Sequence, residues 1–421
     1  MSRRRAIARL LAALALAVPA GAADPAWKGS GNAELWAYTA AMDRDGASPL
    51  NPGNRVAGLP GLQWTGEARV NLRLATDGAE LVLRPRLLEQ HDPGMASQDQ
   101  HQGYLSQAFA RVRLGDALTF TGGRELLTWG PGNFRSPSNP LYFDAGRSDP
   151  LRDVSGVDLA RLTWTRGPLS LVLARVQDPG HLDPAATPAR VTLVKADLRG
   201  GAGLLSAVFA APVWGAPFLG GFAQATPGDA WLVYGEIGSG RRAQALAASP
   251  AGSGPAFSLQ APSPRRTTAL LGASYTLVNG QSVALEGLRD GHGFTRQGEA
   301  QWFARAGASA GQYLAAPEAP MAPALLAALG QALGQAPALL GRDYGSLLWQ
   351  SNPQETGCYW RLMGTVNAQD RSSQILAYGE KSLSVRLVAF AALTRNLGGA
   401  QAEFGDLFRT SLTLGIKFFA F

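Results

Sequence analysis

The chain has 421 residues, of which 46% are hydrophobic, and its formal net charge at pH 7 is +7. Its single cysteine, Cys358, excludes a disulfide framework and a cysteine-based metal site. No stretch reaches the roughly 18 consecutive apolar residues of a membrane-spanning helix, which excludes a helical membrane protein.

The N-terminus has the pattern of a cleavable export signal. A basic region precedes an apolar run from Leu10 to Val18, and small residues follow at 20–22. The basic region contains Arg3, Arg4, Arg5 and Arg9. Because the apolar run is too short to span a bilayer, we expect a signal peptide at residues 1–22 and one mature domain at residues 23–421. Removal of the signal peptide lowers the net charge from +7 to +3. The positive net charge of the whole chain therefore does not indicate nucleic-acid binding.

Alternation of apolar and polar residues along the mature chain predicts β-strands with one apolar and one polar face. Most of these segments have about ten residues, the length of a tilted strand that crosses a membrane. They are residues 31–40, 62–75, 79–90, 103–114, 117–128, 156–166, 168–177, 189–199, 201–211, 217–226, 229–238, 266–278, 280–289, 343–351, 356–367, 372–380, 383–395 and 408–421. Each segment alone is a weak signal, so 16 strands also fit the pattern.

The connections between these segments alternate in length. Every second one is a tight turn, such as residues 76–78 and 279–280. The others are mostly long, at residues 41–61, 91–102, 129–155, 178–188, 239–265, 290–342 and 396–407. This alternation predicts an all-β fold, a transmembrane antiparallel up-and-down β-barrel with about 18 strands, short periplasmic turns and long extracellular loops. With the export signal, it predicts the outer membrane of a Gram-negative bacterium.

The apolar and polar faces of the strands predict which residues point into the barrel. Charge on the lipid face costs about 2–4 kcal/mol at the bilayer midplane, so we expect the charged rows to face the lumen. These rows contain Arg69, Arg73, Arg84, Arg86, Arg111, Arg113, Arg161, Arg175 and Arg361, whereas Tyr104 falls in an apolar row. Arginine rings favour anions, but the same residues could instead neutralise wall carboxylates such as Glu67 and Glu80.

The long connection at 129–155, with the strand before it, carries the densest set of candidate functional residues. It reads Arg124-Glu125, then Trp129-Gly130-Pro131-Gly132, and continues with charges of both signs. In this run the chain resembles bacterial outer-membrane porins, general and substrate-specific, without a particular family being identified. The resemblance implies that the 129–155 loop folds into the lumen and forms the narrowest point of a pore. The candidate lining residues are then Arg124, Glu125, Asn133, Arg135, Asp144 and Arg147, together with the strand arginines Arg69, Arg73, Arg84, Arg86, Arg111 and Arg113.

Two other long connections differ in composition. Residues 239–265 are rich in glycine, alanine, serine and proline, which is typical of a mobile loop. Within residues 290–342, the run from Ala322 to Leu340 has helical periodicity interrupted by Pro337. We interpret this run as a helix on the barrel mouth, with a plug or a partner-binding segment as the alternative.

The C-terminal segment alternates Leu412, Leu414, Ile416 and Phe418 with polar or small residues before Phe421. We expect it to be the strand that closes the barrel. The resemblance to porins implies that the barrel-assembly machinery reads the terminal Phe421. One departure is that Phe421 is out of phase with the apolar row, which a bulge or a shorter strand would explain.

Enzymatic motifs are absent from the sequence. There is no Gly-x-Ser-x-Gly elbow, His-Glu-x-x-His or phosphate loop, and we expect no catalytic residues, no metal and no cofactor. The four histidines, His91, His101, His181 and His292, all fall in predicted external loops. His292 beside Asp290 is the best candidate for a surface enzyme, which is the third hypothesis.

The first hypothesis is therefore a channel for passive diffusion of small hydrophilic solutes, with a bias toward anionic or carboxylate-bearing ones. The second is a filled barrel whose loops bind or organise surface polysaccharide or lipopolysaccharide. In either case the expected surroundings are outer-membrane lipid and lipopolysaccharide, with no nucleic-acid partner. The sequence leaves open the identity of the solute, whether the lumen is plugged, and whether the protein is a monomer or a trimer.

Overall fold

The computed structural model describes residues 27–93, 99–180, 190–213, 216–241, 245–249, 256–260, 264–352 and 357–420. The predicted signal peptide at 1–22, His181 and Phe421 lie outside these residues.

Eighteen of the strands form one closed antiparallel barrel, as the sequence pattern predicted. Each barrel strand pairs with the next one, and the last pairs with the first. The strands are β1 (Lys28–Arg44), β2 (Leu62–Ala75), β3 (Ala79–His91), β4 (Gln100–Arg113), β5 (Leu118–Glu125), β6 (Val157–Arg166), β7 (Leu169–Asp178), β8 (Val191–Arg199), β9 (Gly203–Pro212), β10 (Phe218–Ala225), β11 (Trp231–Gly240), β12 (Ala245–Ala248), β13 (Phe257–Gln260), β14 (Arg266–Thr276), β15 (Ser282–Asp290), β16 (Asp343–Gln350), β17 (Cys358–Asn367), β18 (Ser373–Ser382), β19 (Leu387–Leu397) and β20 (Phe408–Phe419). Strands β12 and β13 pair only with each other, in a small hairpin between β11 and β14.

The outward face carries the apolar rows that alternation predicted. In β20, Leu412, Leu414, Ile416 and Phe418 are exposed at the outer surface, whereas Thr413 and Lys417 are buried on the inner side. Aromatic side chains gather at the ends of strands next to the tight turns. There the ring centroids of Trp231 and Tyr275 are 4.9 Å apart, and those of Trp349 and Trp360 are 5.0 Å apart. Such pairs are typical of the aromatic girdle at a membrane interface.

The seam between β20 and β1 is closed on the inner side by a charged and aromatic cluster. Lys417 lies opposite Trp36 in the register, and its ammonium nitrogen is 4.1 Å from the centre of the Trp36 ring. The same ammonium forms an ion pair with Glu380 of β18, and Tyr378 and Phe390 pack beside it. The Arg69 guanidinium covers the Trp36 ring at 3.8 Å. Cation–π contacts of this kind stabilise the pairing of the last strand with the first.

We expect Lys417→Met to weaken the seam, because methionine keeps the apolar stem but leaves the Glu380 carboxylate in the wall without its cation. Removing one member of a buried ion pair costs about 3 kcal/mol or more. The temperature at which the folded band is lost in a heat-modifiability gel should fall. A second variant that also carries Glu380→Gln should recover part of the loss. Equal unfolding temperatures for Lys417→Met and wild type would show that the pair does not stabilise the seam.

A bulge in the β3–β4 pairing corrects one face assignment. The register shifts between Arg84 and Pro85, where proline has no N–H to donate to the ladder. As a result Tyr104 lies opposite Arg86, on the inward face, and its prediction as part of an apolar outward row is wrong. The Arg86 guanidinium donates to the Val70 carbonyl and to Asn71 Oδ1 at this break in the ladder.

The connection between β15 and β16 contains two α-helices, α1 (Arg296–Ala315) and α2 (Ala322–Gln335). Helix α2 is the predicted one and ends before Pro337. Helix α1 was not predicted, although Thr295 caps it by accepting a hydrogen bond from the Gly298 N–H. These are the α-helices of the described residues, and neither has the length and hydrophobicity that a membrane crossing requires.

Three connections pack together over the barrel mouth. Leu50, which lies between β1 and β2, and Phe257 of the hairpin share one buried cluster with Trp302 and Phe303 of α1 and Leu329 of α2. Strands β1 and β11 are on opposite sides of the barrel, so this cluster extends across the mouth. We call α1, α2, the β12–β13 hairpin and residues 45–61 the cap.

Candidate functional site: the lumen and the 129–155 loop

The 129–155 loop is anchored to the inner wall by two buried carboxylates, Glu236 of β11 and Glu286 of β15. Glu236 accepts hydrogen bonds from the Gly132 N–H at 2.7 Å and from the hydroxyl of Ser138 at 2.7 Å. Glu286 accepts from the backbone N–H groups of Asn133, at 2.6 Å, and of Phe134, at 2.8 Å. Charged acceptors make the stronger class of hydrogen bond, so the loop is held firmly to this side of the barrel.

Glycine makes this close approach feasible. A Cβ at Gly238 of β11 would lie 1.9 Å from the Pro137 carbonyl oxygen, so any side chain there would displace the loop. In the loop itself, Gly130 has a φ of +83°, which glycine adopts without the strain of an L side chain. The Gly-Pro-Gly run noted in the sequence therefore shapes the part of the loop that meets Glu236.

The next part of the loop is held by apolar packing. Leu141 and Tyr142 are buried against Val157, Val176 and Leu193, which lie on the inner faces of β6, β7 and β8. The Tyr142 hydroxyl donates to the Ser155 carbonyl at 2.9 Å. This explains why the inner faces of β6, β7 and β8 are apolar where the loop covers them, although the lumen elsewhere is charged.

The last part of the loop reaches the other side of the barrel. Arg69 of β2 donates to the Leu151 carbonyl at 2.9 Å, and Arg86 of β3 lies 3.3 Å from the Asp153 carboxylate. Because Glu236 holds the same loop on β11, the loop crosses the lumen. It narrows the cross-section at that level.

Below the loop, the predicted inward arginines of neighbouring strands share glutamates in one network. Arg73 and Arg111 both bind Glu80, at 2.6 Å and 2.7 Å, and Arg111 also binds Glu125 at 2.8 Å. Arg161 binds Glu125 at 2.7 Å. The network extends from β2 to β6. It contains three arginines and two glutamates, so its net charge is positive.

Two further arginines add to this positive excess. Arg84 shares its face with Glu80, and Arg113 shares its face with Arg111. Within the part of the chain that the structure describes, the guanidinium groups of Arg84 and Arg113 have no hydrogen-bond or ion-pair partner. Both therefore add positive charge to the inner wall.

Most of the candidate lining residues inside the loop form hydrogen bonds and ion pairs that fix the conformation of the loop. Arg147 donates to the carbonyls of Gly130 and Gly132, at 2.8 Å and 2.7 Å. Arg135 donates to its neighbouring carbonyl at 134 and lies 3.7 Å from Asp144, and burial lowers its pKa from the ordinary value. Asn133 binds Glu286, as described above. Arg152 also binds Asp144, at 3.0 Å.

Arg124 does not face the lumen. It alternates with the inward Glu125 and forms a two-pronged ion pair with Asp158, at 2.7 Å and 2.9 Å, on the face that carries the exposed Phe120 and Leu162. The prediction of Arg124 as a pore-lining residue is therefore wrong. Arg175 is outward too, because it shares its face with Leu171 and Leu173 and binds the outward Thr192.

Sequence reasoning missed the two wall carboxylates that anchor the loop. Their signal was weak: each stands beside a glycine in its strand, in Gly235-Glu236 and Glu286-Gly287. An inward acid flanked by glycine indicates that another backbone approaches there. The pattern could have suggested an anchor, although not for which loop.

The three described histidines, His91, His101 and His292, do not assemble a hydrolytic site. His91 binds Asp99 at 3.0 Å and His101 lies 3.7 Å from Glu89, all at the exposed ends of β3 and β4. Asp290 accepts from the backbone N–H of His292, at 2.9 Å. No group of metal-ligating side chains occurs among the described residues.

Comparison with known proteins identifies the fold. OccK11 (OpdR) of Pseudomonas aeruginosa matches with a TM-score of 0.52 and 13% identity, over 93% of this chain and 95% of that chain. OccK5 (OpdH) of the same organism matches with a TM-score of 0.50 and 10% identity, over 93% and 98%. A triple mutant of the Rhodopseudomonas blastica porin gives a TM-score of 0.42 and 12% identity, over 93% and 100%. No family model and no curated sequence matches.

The two OccK matches, together with the closed 18-stranded barrel, show a porin-like outer-membrane β-barrel fold, which confirms the resemblance inferred from the sequence.

Proposed function

We propose that the protein is an outer-membrane channel through which small hydrophilic solutes diffuse passively, with a preference for anionic or carboxylate-bearing ones. The proposal rests on a lumen that is charged below the 129–155 loop and narrowed by that loop. Passive diffusion needs no cofactor, because the solute gradient supplies the driving force. The aromatic pairs at the turn end of the barrel support a membrane location.

The excess of inward arginine carries the anion preference. Five arginines of β2 to β6, Arg73, Arg84, Arg111, Arg113 and Arg161, face two glutamates, Glu80 and Glu125. A guanidinium stays charged at any physiological pH and presents several donors to a carboxylate. The wall therefore lowers the energy of an anion in the lumen relative to a cation.

Conductance of the purified protein in a planar bilayer tests whether the barrel is a channel. We expect stepwise openings with a roughly linear current–voltage relation at low voltage. A variant in which Gly238 is replaced by valine should show altered steps, since the side chain would displace the 129–155 loop at Pro137. A correctly folded barrel that never conducts would contradict the proposal.

A filled barrel that binds or organises surface polysaccharide or lipopolysaccharide remains the second candidate. The observation that favours it is the cap, which extends across the mouth from the β1–β2 connection to the hairpin. It predicts no conductance together with retention of lipopolysaccharide or polysaccharide on the immobilised protein. Lipid contacts, recognition of Phe421 by the assembly machinery, cleavage after residue 22 and the oligomeric state stay predictions.

A further inference from the structure

The connection at 396–407, between β19 and β20, joins the cap to the barrel through buried carboxyl groups. Glu403 accepts hydrogen bonds from the Leu340 N–H at 3.0 Å, from the Tyr344 hydroxyl and from the Asn367 amide at 2.9 Å. Leu340 follows α2, so Glu403 binds the segment that carries the cap back to the wall. Its own N–H donates to Asp370 at 2.8 Å.

A second acid of the cap enters the same cluster. Glu299, in the first turn of α1, is buried beside Asp370 and Glu403, and it accepts from the fully buried Asn367. Three carboxyl groups from three different connections therefore meet at one point. Arg135 of the 129–155 loop interacts electrostatically with one of them, Glu403.

The other end of the 396–407 connection repeats the arrangement. The buried Asp406 accepts from the Ser48 hydroxyl of the cap at 3.0 Å, beside Asp45. Asp45 is in turn bound to Arg409 at 3.3 Å. Both ends of this connection thus hold the cap by a carboxyl group that has another acid as its neighbour.

Acids in such surroundings keep their protons to unusually high pH. Burial, reinforced by Asp370 and Glu403, raises the pKa of Glu299 to about 8. Burial also raises the pKa of Glu403, and it raises that of Asp406 to about 7 although the Ser48 hydrogen bond opposes the change. A folded-state pKa above the unfolded one means stability that is complete at low pH and is lost as pH rises through the folded value.

We propose that residues 396–407 form a proton-dependent clasp, which holds the cap over the barrel mouth at acidic pH and releases it at alkaline pH. When Glu299 and Asp406 ionise, each adds a negative charge beside another carboxylate in a poorly hydrated place. Repulsion between these like charges then favours a state in which the cap has moved away from Glu403 and Asp406. The clasp goes beyond the channel proposal and does not depend on it.

A distance measurement between the cap and the barrel tests the clasp directly. Spin labels at Ala308→Cys, exposed on α1, and Arg395→Cys, exposed at the rim of β19, would be placed in a Cys358→Ser background. Electron–electron distances would be measured in nanodiscs at pH 5 and pH 9. We expect one narrow distribution at pH 5 and a longer, broader one at pH 9, with a midpoint between about pH 7 and pH 8.

Neutral isosteres separate titration from simple loss of packing. Glu299→Gln with Asp406→Asn should keep the narrow distribution at pH 9, whereas Asp343→Asn, on the outer face, should still show the shift. Distributions that are identical at pH 5 and pH 9 in the wild-type background would overturn the clasp, even if the double variant failed to fold. A pH shift that persists in a folded double variant would also overturn it. Because the distance does not require conduction, either result leaves the channel proposal to its own test.

Discussion

Replacing Glu236 and Glu286 together by glutamine is expected to free the 129–155 loop from the β11–β15 wall and to raise the single-channel conductance. Each carboxylate accepts backbone N–H groups of the loop through both of its oxygens. Glutamine would direct an NH2 group at those donors. Hydrogen bonds to a charged group contribute about 1.5–3 kcal/mol each, so the double change removes several kcal/mol of anchoring.

The measurement is the amplitude and noise of single openings in a planar bilayer. Freed on one side, the loop should fluctuate, so open-channel noise should increase along with the mean conductance. Glu34→Gln is the matched control, because Glu34 also faces inward but binds Asn32 and Trp36 instead of the loop. If the double variant and the control both conduct like the wild type, the loop does not set the narrowest point.

Removing the two unpaired arginines, in Arg84→Ala with Arg113→Ala, is expected to lower the anion preference. A unit charge about 8 Å from an ion in water contributes about 0.5 kcal/mol. Two such charges shift an anion by about 1 kcal/mol and a cation by the same amount in the opposite sense, so the ratio of anion to cation permeability should fall by about 30-fold without screening, and by less as salt is added. The barrel should stay equally stable, because neither guanidinium has a hydrogen-bond or ion-pair partner among the described residues.

The readout is the permeability ratio from reversal potentials at low salt, where screening is weakest. Arg175→Ala with Arg395→Ala removes the same charge from the outer face and should leave the ratio unchanged. A ratio that falls equally in both double variants would mean that total charge, and not the lumen wall, sets the preference.

The strands were predictable because each obeys a local rule. Alternation places Leu412 outside and Lys417 inside β20 whatever the loops do, and a glycine-containing turn such as 76–78 fixes where a strand ends. The same rule gave the inward arginines Arg73 and Arg111. It failed where the register shifts, as at Pro85, since a bulge reverses the faces that follow it.

The candidate site was less predictable because it depends on contacts between residues far apart in sequence. The sequence marks the Gly-Pro-Gly run, but that Gly132 meets Glu236 is decided by how the barrel closes. The placement of Arg124 was wrong because it was judged with the loop, although it alternates with Glu125 in β5. Helix α1 was missed since its apolar residues, Trp302 and Phe303, are few among alanine and glycine.

The sign of the reversal potential in a tenfold KCl gradient tests the central claim most directly. With the wild-type protein in one membrane, we expect a potential displaced toward the chloride equilibrium value, as an arginine-rich lumen requires. A potential displaced toward the potassium equilibrium value, or a folded barrel that carries no current at all, would contradict the account.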